Sequence, residues 1–511
     1  MKRLFLLSMC LLSLSTTFAQ ETDSLKTQHI NEEVVVTAQN HVAIKDGVSY
    51  IPTPEERKSS SNYAALLARM MVAGLRVDEF SNKVETNWGK EVHFFINGVE
   101  ANGWELKTLR PKEVARVDFL QSPSEPKYKN YSAVVDFVLR KLAYGGYVMA
   151  EANQGFGNND YGDYDVAGKL RKGRMTYQAI VGTYYRNAHK LVGNKNIDYT
   201  YNDGTTLNKK VDYEQNERLR TYSTGVSARY DSEKLIWSLQ AGMRLNEVPR
   251  SHTQQHVFYD DVELGSSISD ADSRSITPYL TSQFVTYGLP HNGYAYGGFS
   301  FSYNHNSGNN HYQLMASDSQ ELYNGTKENA YLPSLWLGYG FPIYQQNYLV
   351  FTTSLNTEIY RTNYSGTADT FQKLINTYYS FDLNYSHKFS GKWSGSLLVS
   401  LPVQSYKVQD EKIMTKAYLN GCVTLNGQLS SKHSIYIQAN ITQSAINPSY
   451  YNTVVRQDDE LTGSKGNADL KTVRQAYALL SYTWMPSNVF SLNTSRSEER
   501  RVGKECRSRW S

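Results

Sequence analysis

Residues 393–401 read Trp393-Ser394-Gly395-Ser396-Leu397-Leu398-Val399-Ser400-Leu401. Odd positions are mostly apolar and even positions mostly polar, the period of two that marks an extended strand with one dry and one wet face. Ile435, Ile437, Ala439 and Ile441 alternate in the same way with Ser434, Gln438, Asn440 and Thr442. So do Tyr379, Phe381, Leu383 and Tyr385 with Ser380, Asp382, Asn384 and Ser386. A soluble antiparallel sheet would alternate too. Length separates the two cases. From Gly146 onward many runs exceed ten residues, where a typical strand has about 5–6 and a membrane-crossing strand about 9–11.

Working outward, short turns are expected near Lys172-Gly173, Ser232-Glu233, Pro290-His291, Pro342-Ile343, Ser390-Gly391, Ser430-Ser431 and Pro486-Ser487. Longer polar connections are expected between them, such as Leu191 to Asn216 and Tyr450 to Leu470. Short turns at one end and long loops at the other are the layout of a transmembrane antiparallel β-barrel, and the count over residues 146–495 is fifteen strands. The chain carries 40 Tyr against 18 Phe and 7 Trp. Tyr has an apolar ring and a polar tip, so Tyr378-Tyr379 and Tyr450-Tyr451 are candidates for aromatic girdles at a membrane interface.

Composition narrows the class further. With 40% hydrophobic and 20% charged residues the 511-residue chain is not disordered. Its net charge of +4 does not suggest nucleic-acid binding. Beyond the first twenty residues no run of 18 apolar residues occurs, which excludes a helical membrane protein and leaves a barrel open.

Residues 1–19 read as a signal peptide. Lys2 and Arg3 precede the apolar Leu4–Leu14, and Thr17-Phe18-Ala19 places small residues at the cleavage site. Residues 496–511 (RSEERRVGKECRSRWS) break the alternation, and they resemble the translation of a common sequencing adapter. They are expected to be non-native, with the barrel C-terminally truncated before them. Cys10 and Cys506 fall in these two segments, so Cys422 is the single remaining thiol and no internal disulfide is expected.

Residues 20–38 read as a periplasmic tail holding a short strand-former, Glu32-Glu33-Val34-Val35-Val36-Thr37-Ala38. Such a segment can add as a strand to a partner's sheet edge or start the next domain. Residues 39–145 read as a small α+β domain. Ser60 or Ser61 caps a helix through Tyr63, Leu66, Leu67 and Met70, with Gly74 as its stop. Strands follow at Leu75–Val77, Val92–Ile96, Val117–Leu120 and Val134–Leu139, with Asn97-Gly98 as a tight turn and a short helix opened by Pro111.

This order resembles the plug domain of TonB-dependent outer-membrane receptors, with a flavour of those of the Bacteroidota. The matching pieces are EEVVVTA at 32–38, LLARMMVAGLRV at 66–77, VHFFINGVEA at 92–101 and LRPKEVARVDFLQSPSEPKYKNYSAVVDFVLRK at 109–141. Lys129 and Asn130 stand where the family usually has glycines, and Gly466–Lys471 is similar to its strand-entry motif without the prolines. About a dozen residues separate the cleavage site from the first piece, which leaves no room for an extra signalling domain. The resemblance implies a small α+β plug followed by a barrel of 22 strands, of which about fifteen are present here. It also implies that residues 32–38 are the coupling segment for a TonB-type energy-coupling protein. Outer-membrane lipid and the barrel assembly machinery are the further expected partners, and a surface lipoprotein is an open one. The location it implies is the Gram-negative outer membrane.

No nucleophile elbow, zinc-spaced cluster or phosphate loop occurs, so neither catalysis nor a cofactor is expected. His305 and His311, in a stretch of Asn and Gly read as loop, are weak metal or ligand candidates against the plainer reading of solvent-facing residues. Asp458-Asp459-Glu460 could hold a cation but reads more readily as a hydrated loop tip. Trp88 and Trp104 either touch a ligand or fill the plug core, and the core is the plainer reading. The expected function is energy-coupled uptake of a siderophore, glycan or peptide. The alternative is an uncoupled barrel acting as a surface adhesin or assembly scaffold.

Overall fold

The computed structural model describes residues 41–502, apart from residues 45–46, 80–81, 88–90, 102, 122, 124–127, 129–130, 132, 141–143, 202, 345–346, 390–391, 410, 431, 444–447, 468–469, 471, 473 and 488–489. The signal peptide and the coupling segment Glu32–Ala38 lie outside the described residues.

Thr53-Pro54-Glu55-Glu56 opens the first helix. The Thr53 hydroxyl accepts from the Glu56 amide at 3.2 Å while the Glu56 carboxylate accepts from the Thr53 amide at 2.7 Å. This is a reciprocal capping box, and α1 (Pro54–Ser59) follows from it. The second helix, α2 (Tyr63–Arg69), is capped by Asn62 rather than by Ser60 or Ser61. Asn62 has extended backbone and accepts from the Ala65 amide at 2.9 Å. Ser60 is instead spent closing α1, its hydroxyl donating to the Glu56 carbonyl.

The strands of this domain are β1 (His41–Ile44), β2 (Gly47–Tyr50), β3 (Leu75–Asp78), β4 (Lys83–Thr86), β5 (His93–Ile96), β6 (Val99–Glu100), β7 (Val114–Gln121) and β8 (Ala133–Leu139). Six of them form a sheet in the order β1-β2-β7-β8-β5-β6, with β5 and β8 parallel and the other pairs antiparallel. Asn97 and Gly98 turn β5 into β6 with φ of 50° and 77°. Positive φ at both central positions is what a tight hairpin turn requires, and Gly98 supplies it without steric cost. A third short helix, α3 (Gly103–Lys107), and a 3₁₀ turn at Pro111–Glu113 bridge β6 to β7. Leu66, Leu67, Val117, Val135 and Phe137 are fully buried in one core, each burial stabilising by about 1.5–3 kcal/mol.

The second sheet is built from β9 (Tyr144–Gly155), β10 (Asn159–Lys172), β11 (Met175–Thr200), β12 (Thr206–Asp231), β13 (Leu235–Tyr259), β14 (Val262–Leu289), β15 (Gly293–Ala316), β16 (Gln320–Tyr344), β17 (Asn347–Gly366), β18 (Thr370–Lys388), β19 (Trp393–Val408), β20 (Met414–Ala417), β21 (Asn420–Ser430) and β22 (His433–Gln443). A small pair, β23 (Arg456–Gln457) with β24 (Gly463–Ser464), precedes the last two, β25 (Arg474–Ser487) and β26 (Phe490–Val502). Among the described residues the large sheet runs through fifteen antiparallel strands from β9 to β26, with β20 hanging off β19. The barrel is not closed: β9 and β26 are its two edges.

Every expected short turn separates two strands near its predicted place, those at Pro342-Ile343 and Pro486-Ser487 falling slightly later, after Tyr344 and after Ser487. The expected long loop Leu191–Asn216 is corrected. β11 and β12 stay paired out to Thr200 and Thr206, so only Tyr201–Thr205 connect them. That stretch is polar on both faces, and backbone pairing continues where there is no alternation to read. Strand pairing likewise passes Ser495, with Arg496–Val502 paired to β25.

The two faces of the large sheet differ. Val181, Val226, Leu280, Phe299, Leu335, Phe351, Phe381, Leu397 and Val423 all stand exposed on the outward face. They form one band across the sheet, in the half of the strands nearest the short turns. At the same level Gln178, Arg229, Gln240, Gln283 and Asn384 point inward, and the α+β domain lies on that inward face. Past the band the strands continue, β14 for 28 residues in all. No helix among the described residues is long and apolar enough to cross a membrane.

Candidate functional site

The plug-like domain meets the wall through residues 96–113. Val99 packs with Ile236, Val285, Tyr296 and Val350. Beside this apolar contact the turn and α3 offer polar groups that the wall answers one by one. Arg229 donates to the Ile96 carbonyl and lies 3.9 Å from Glu105. Gln240 donates to Glu105 at 3.0 Å, Gln283 to the Glu100 carbonyl at 2.7 Å, and Asn97 to Asp231 at 2.8 Å. Lys107 pairs with Asp165, and Lys169 pairs with Glu113 at 2.6 Å. The Arg110 guanidinium lies 3.3 Å above the Tyr147 ring. These are directional, partly buried contacts, so they fix one seating of the plug.

Trp104 belongs to this contact, neither to the plug core nor to a ligand pocket. A Cβ on Gly225 would run into its ring, and one on Gly242 would crowd it. Tyr279 flanks it at 5.9 Å. Two wall glycines on adjacent strands therefore form a seat for the indole. The glycines were readable in the sequence as strand glycines, but their partner was not.

At the other end of the lumen a strap crosses the inward face. The connection from β22 to β25 folds back onto strands far away in sequence. Tyr451, fully buried, stacks on Tyr406 at 4.1 Å, and Lys416 lies over both rings. Asn452 donates to the Tyr364 hydroxyl at 2.8 Å, and Asn324 donates to the Gln457 carbonyl at 2.7 Å. Lys209 on β12, 4% exposed, reaches Asp459 at 2.8 Å and Glu460 at 2.7 Å. Tyr259 and Tyr312 donate to Glu460 at 2.8 and 2.5 Å.

The acidic cluster is thus corrected from a hydrated loop tip to a latch whose cation is the protein's own lysine. Burial would raise both carboxyls, yet hydrogen bonds and the charge of Lys209 hold Asp459 and Glu460 below the ordinary carboxylate range. Burial would likewise lower Lys209, but the two carboxylates hold it above its ordinary value. All three lie beyond the apolar band.

His305 and His311 are corrected from loop to strand: both stand on β15. Their spacing of six residues puts them on one face but about 20 Å apart, too far to share an ion. His305 instead contacts Asn329 at 2.8 Å, and His311 contacts Glu321 at 2.8 Å. Among the described residues no group of three or more His, Cys, Asp or Glu could hold a metal. Trp88 lies outside the described residues. Tyr379 is outward and exposed as a girdle residue would be, whereas Tyr451 is buried in the strap and is not one.

No family model matches the sequence, and no curated protein matches it. Solved structures do. The chain is similar to the ferric yersiniabactin uptake receptor FyuA from Yersinia pestis, at 12% identity over 89% of this chain and 79% of that one, with a TM-score of 0.48. It is similar to the copper transporter OprC, at 11% identity over 87% and 71%, with a TM-score of 0.48. BauA, the ferric preacinetobactin receptor from Acinetobacter baumannii, is matched at 12% identity over 89% and 70%, with a TM-score of 0.46. The first and third are named as receptors for ferric ligands and the second as a copper transporter.

Proposed function

We propose that this chain is a plugged outer-membrane receptor that takes up a ligand by coupling to an energy-transducing partner. The observation that carries the reading is the pairing of two opposite faces at one level. An apolar band faces outward across the large sheet, while the inward face is polar and seats a separately folded domain. Lipid on one side and a wet, occupied lumen on the other require that arrangement, because every backbone group in a bilayer must be paired within the sheet. The plug–wall contacts are many and mostly polar, so they can be exchanged for water when the plug is pulled.

Val34–Thr37 would offer the backbone for strand addition to the energy-coupling protein. Pairing of that kind depends on the amide hydrogen at a bonded position, which proline lacks. The test is titration of the coupling protein's periplasmic domain against the whole chain in detergent. Val35→Ala is expected to bind within about threefold of the unaltered chain, and Val35→Pro to lose binding at least tenfold. Equal binding by the Pro variant would remove the coupling assignment and favour an uncoupled adhesin or scaffold. The ligand belongs to the siderophore, glycan or peptide class.

A further inference from the structure

A groove of about 630 Å³ lies across the ends of β13–β17 beyond the apolar band. It opens on the outward face. Tyr312 points inward to the strap, so its neighbour His311 points the other way, and with it the residues paired across from it. Two rungs of side chains form the groove. In the first, Asp270, His311 and Tyr323 are direct cross-strand partners. In the second, Asp272, Asn309, Gly325 and Ser365 are.

The first rung ends in a flat, stiff platform. His311 and Tyr323 stack at 4.1 Å and 5° from parallel. Glu321 holds both, at 2.8 Å from the imidazole and 3.1 Å from the phenol. Tyr323 is 55% exposed. The second rung holds a fixed polar pair, with the Asn309 amide donating to both carboxylate oxygens of Asp272 at 3.2 Å. Gly325 lets the Ser365 hydroxyl lie over its Cα, where a Cβ would run into it.

We propose that this groove is a binding site for a neutral saccharide. A pyranose laid with its C–H face on Tyr323 would place its hydroxyls against Asp272, Asn309 and Ser365. A planar carboxylate and amide side by side present the acceptor and donor positions that adjacent hydroxyls match. The groups are already paired with each other, so little side-chain freedom is lost on binding. Asp270, Asp272 and Glu321 outnumber Arg250, so sugars bearing phosphate or carboxylate are repelled. The groove faces away from plug and strap, so it serves capture at the surface and not passage. That placement rests on the outer-membrane reading.

The test is saturation-transfer NMR and calorimetric titration of the whole chain in detergent with cellohexaose, maltohexaose and mannohexaose. At least one is expected to bind. Tyr323→Ala and Asp272→Ala should each weaken it tenfold or more, and Tyr323→Phe should keep it within threefold. Circular dichroism confirms that each variant is folded. No binding of any of the three sugars, or binding unchanged in folded Tyr323→Ala, overturns the proposal. Vesicles carrying lipopolysaccharide with a full sugar core, set against vesicles with a core-less form, tell the source. Competition only by the full core assigns a neighbouring lipid's sugars, and no competition assigns a free glycan. A chain that binds sugar but fails to insert into vesicles would refute the receptor reading and leave the groove standing.

Discussion

Lys209→Met should unlatch the strap. The ammonium is 5% exposed in its side chain and is shared by Asp459 and Glu460. Methionine keeps most of the volume and removes the charge, leaving the carboxylates of Asp459 (26% exposed) and Glu460 (5% exposed) without their cation. Breaking a buried ion pair from one side costs about 3–5 kcal/mol. Part of that is recovered here, because Glu460 keeps hydrogen bonds from Tyr259 and Tyr312, and Asp459 keeps those from Thr462. A net loss of about 2–3 kcal/mol remains. At about 1.4 kcal/mol per factor of ten, the open strap becomes roughly 30- to 150-fold more populated. Arg456 and Lys465 flank the latch, so trypsin reads it directly. Cleavage at those two sites should rise by that factor in Lys209→Met, while Lys209→Arg stays nearer the unaltered chain. Unchanged cleavage in a folded Lys209→Met chain would refute the latch.

Acid should open the same strap. Asp459 and Glu460 are held below their ordinary values in the folded chain, so their contribution is complete above about pH 4–4.5 and is lost as pH falls below it. Hydrogen exchange across residues 448–467 should therefore be slow at pH 7 and at pH 5, and should accelerate below pH 4 beyond the intrinsic rate. Gly225→Leu should unseat Trp104 at an overpacking cost of about 1–3 kcal/mol, seen as a shift in tryptophan emission and faster proteolysis of the plug. Phe137, fully buried in the plug, should cost about 3–5 kcal/mol as Phe137→Ala, lowering the melting of the plug while the large sheet keeps its circular dichroism.

Much of the fold can be read along the chain because its signals are local. Period-two alternation at Trp393–Leu401 marks β19, and Asn97-Gly98 marks the β5–β6 hairpin. The turn chemistry at Lys172-Gly173 and Pro290-His291 marks strand ends. Each depends on residues a few positions apart, and backbone sterics and one-sided burial decide it. The Thr53–Glu56 capping box is equally local.

Local signals along the chain thus specify an α+β domain followed by a long antiparallel sheet with an apolar band. What the inward face holds depends instead on how the backbone curves distant strands together. Lys209 and Asp459 are 250 residues apart, and Trp104 meets glycines on two strands of a different domain. Such pairings arise when a curved sheet brings distant strands around a common lumen. Charge and volume at each position were visible in the chain, but their partners were not. The same charge that suits a solvated loop tip also suits a buried latch, and only the path of the backbone distinguishes them.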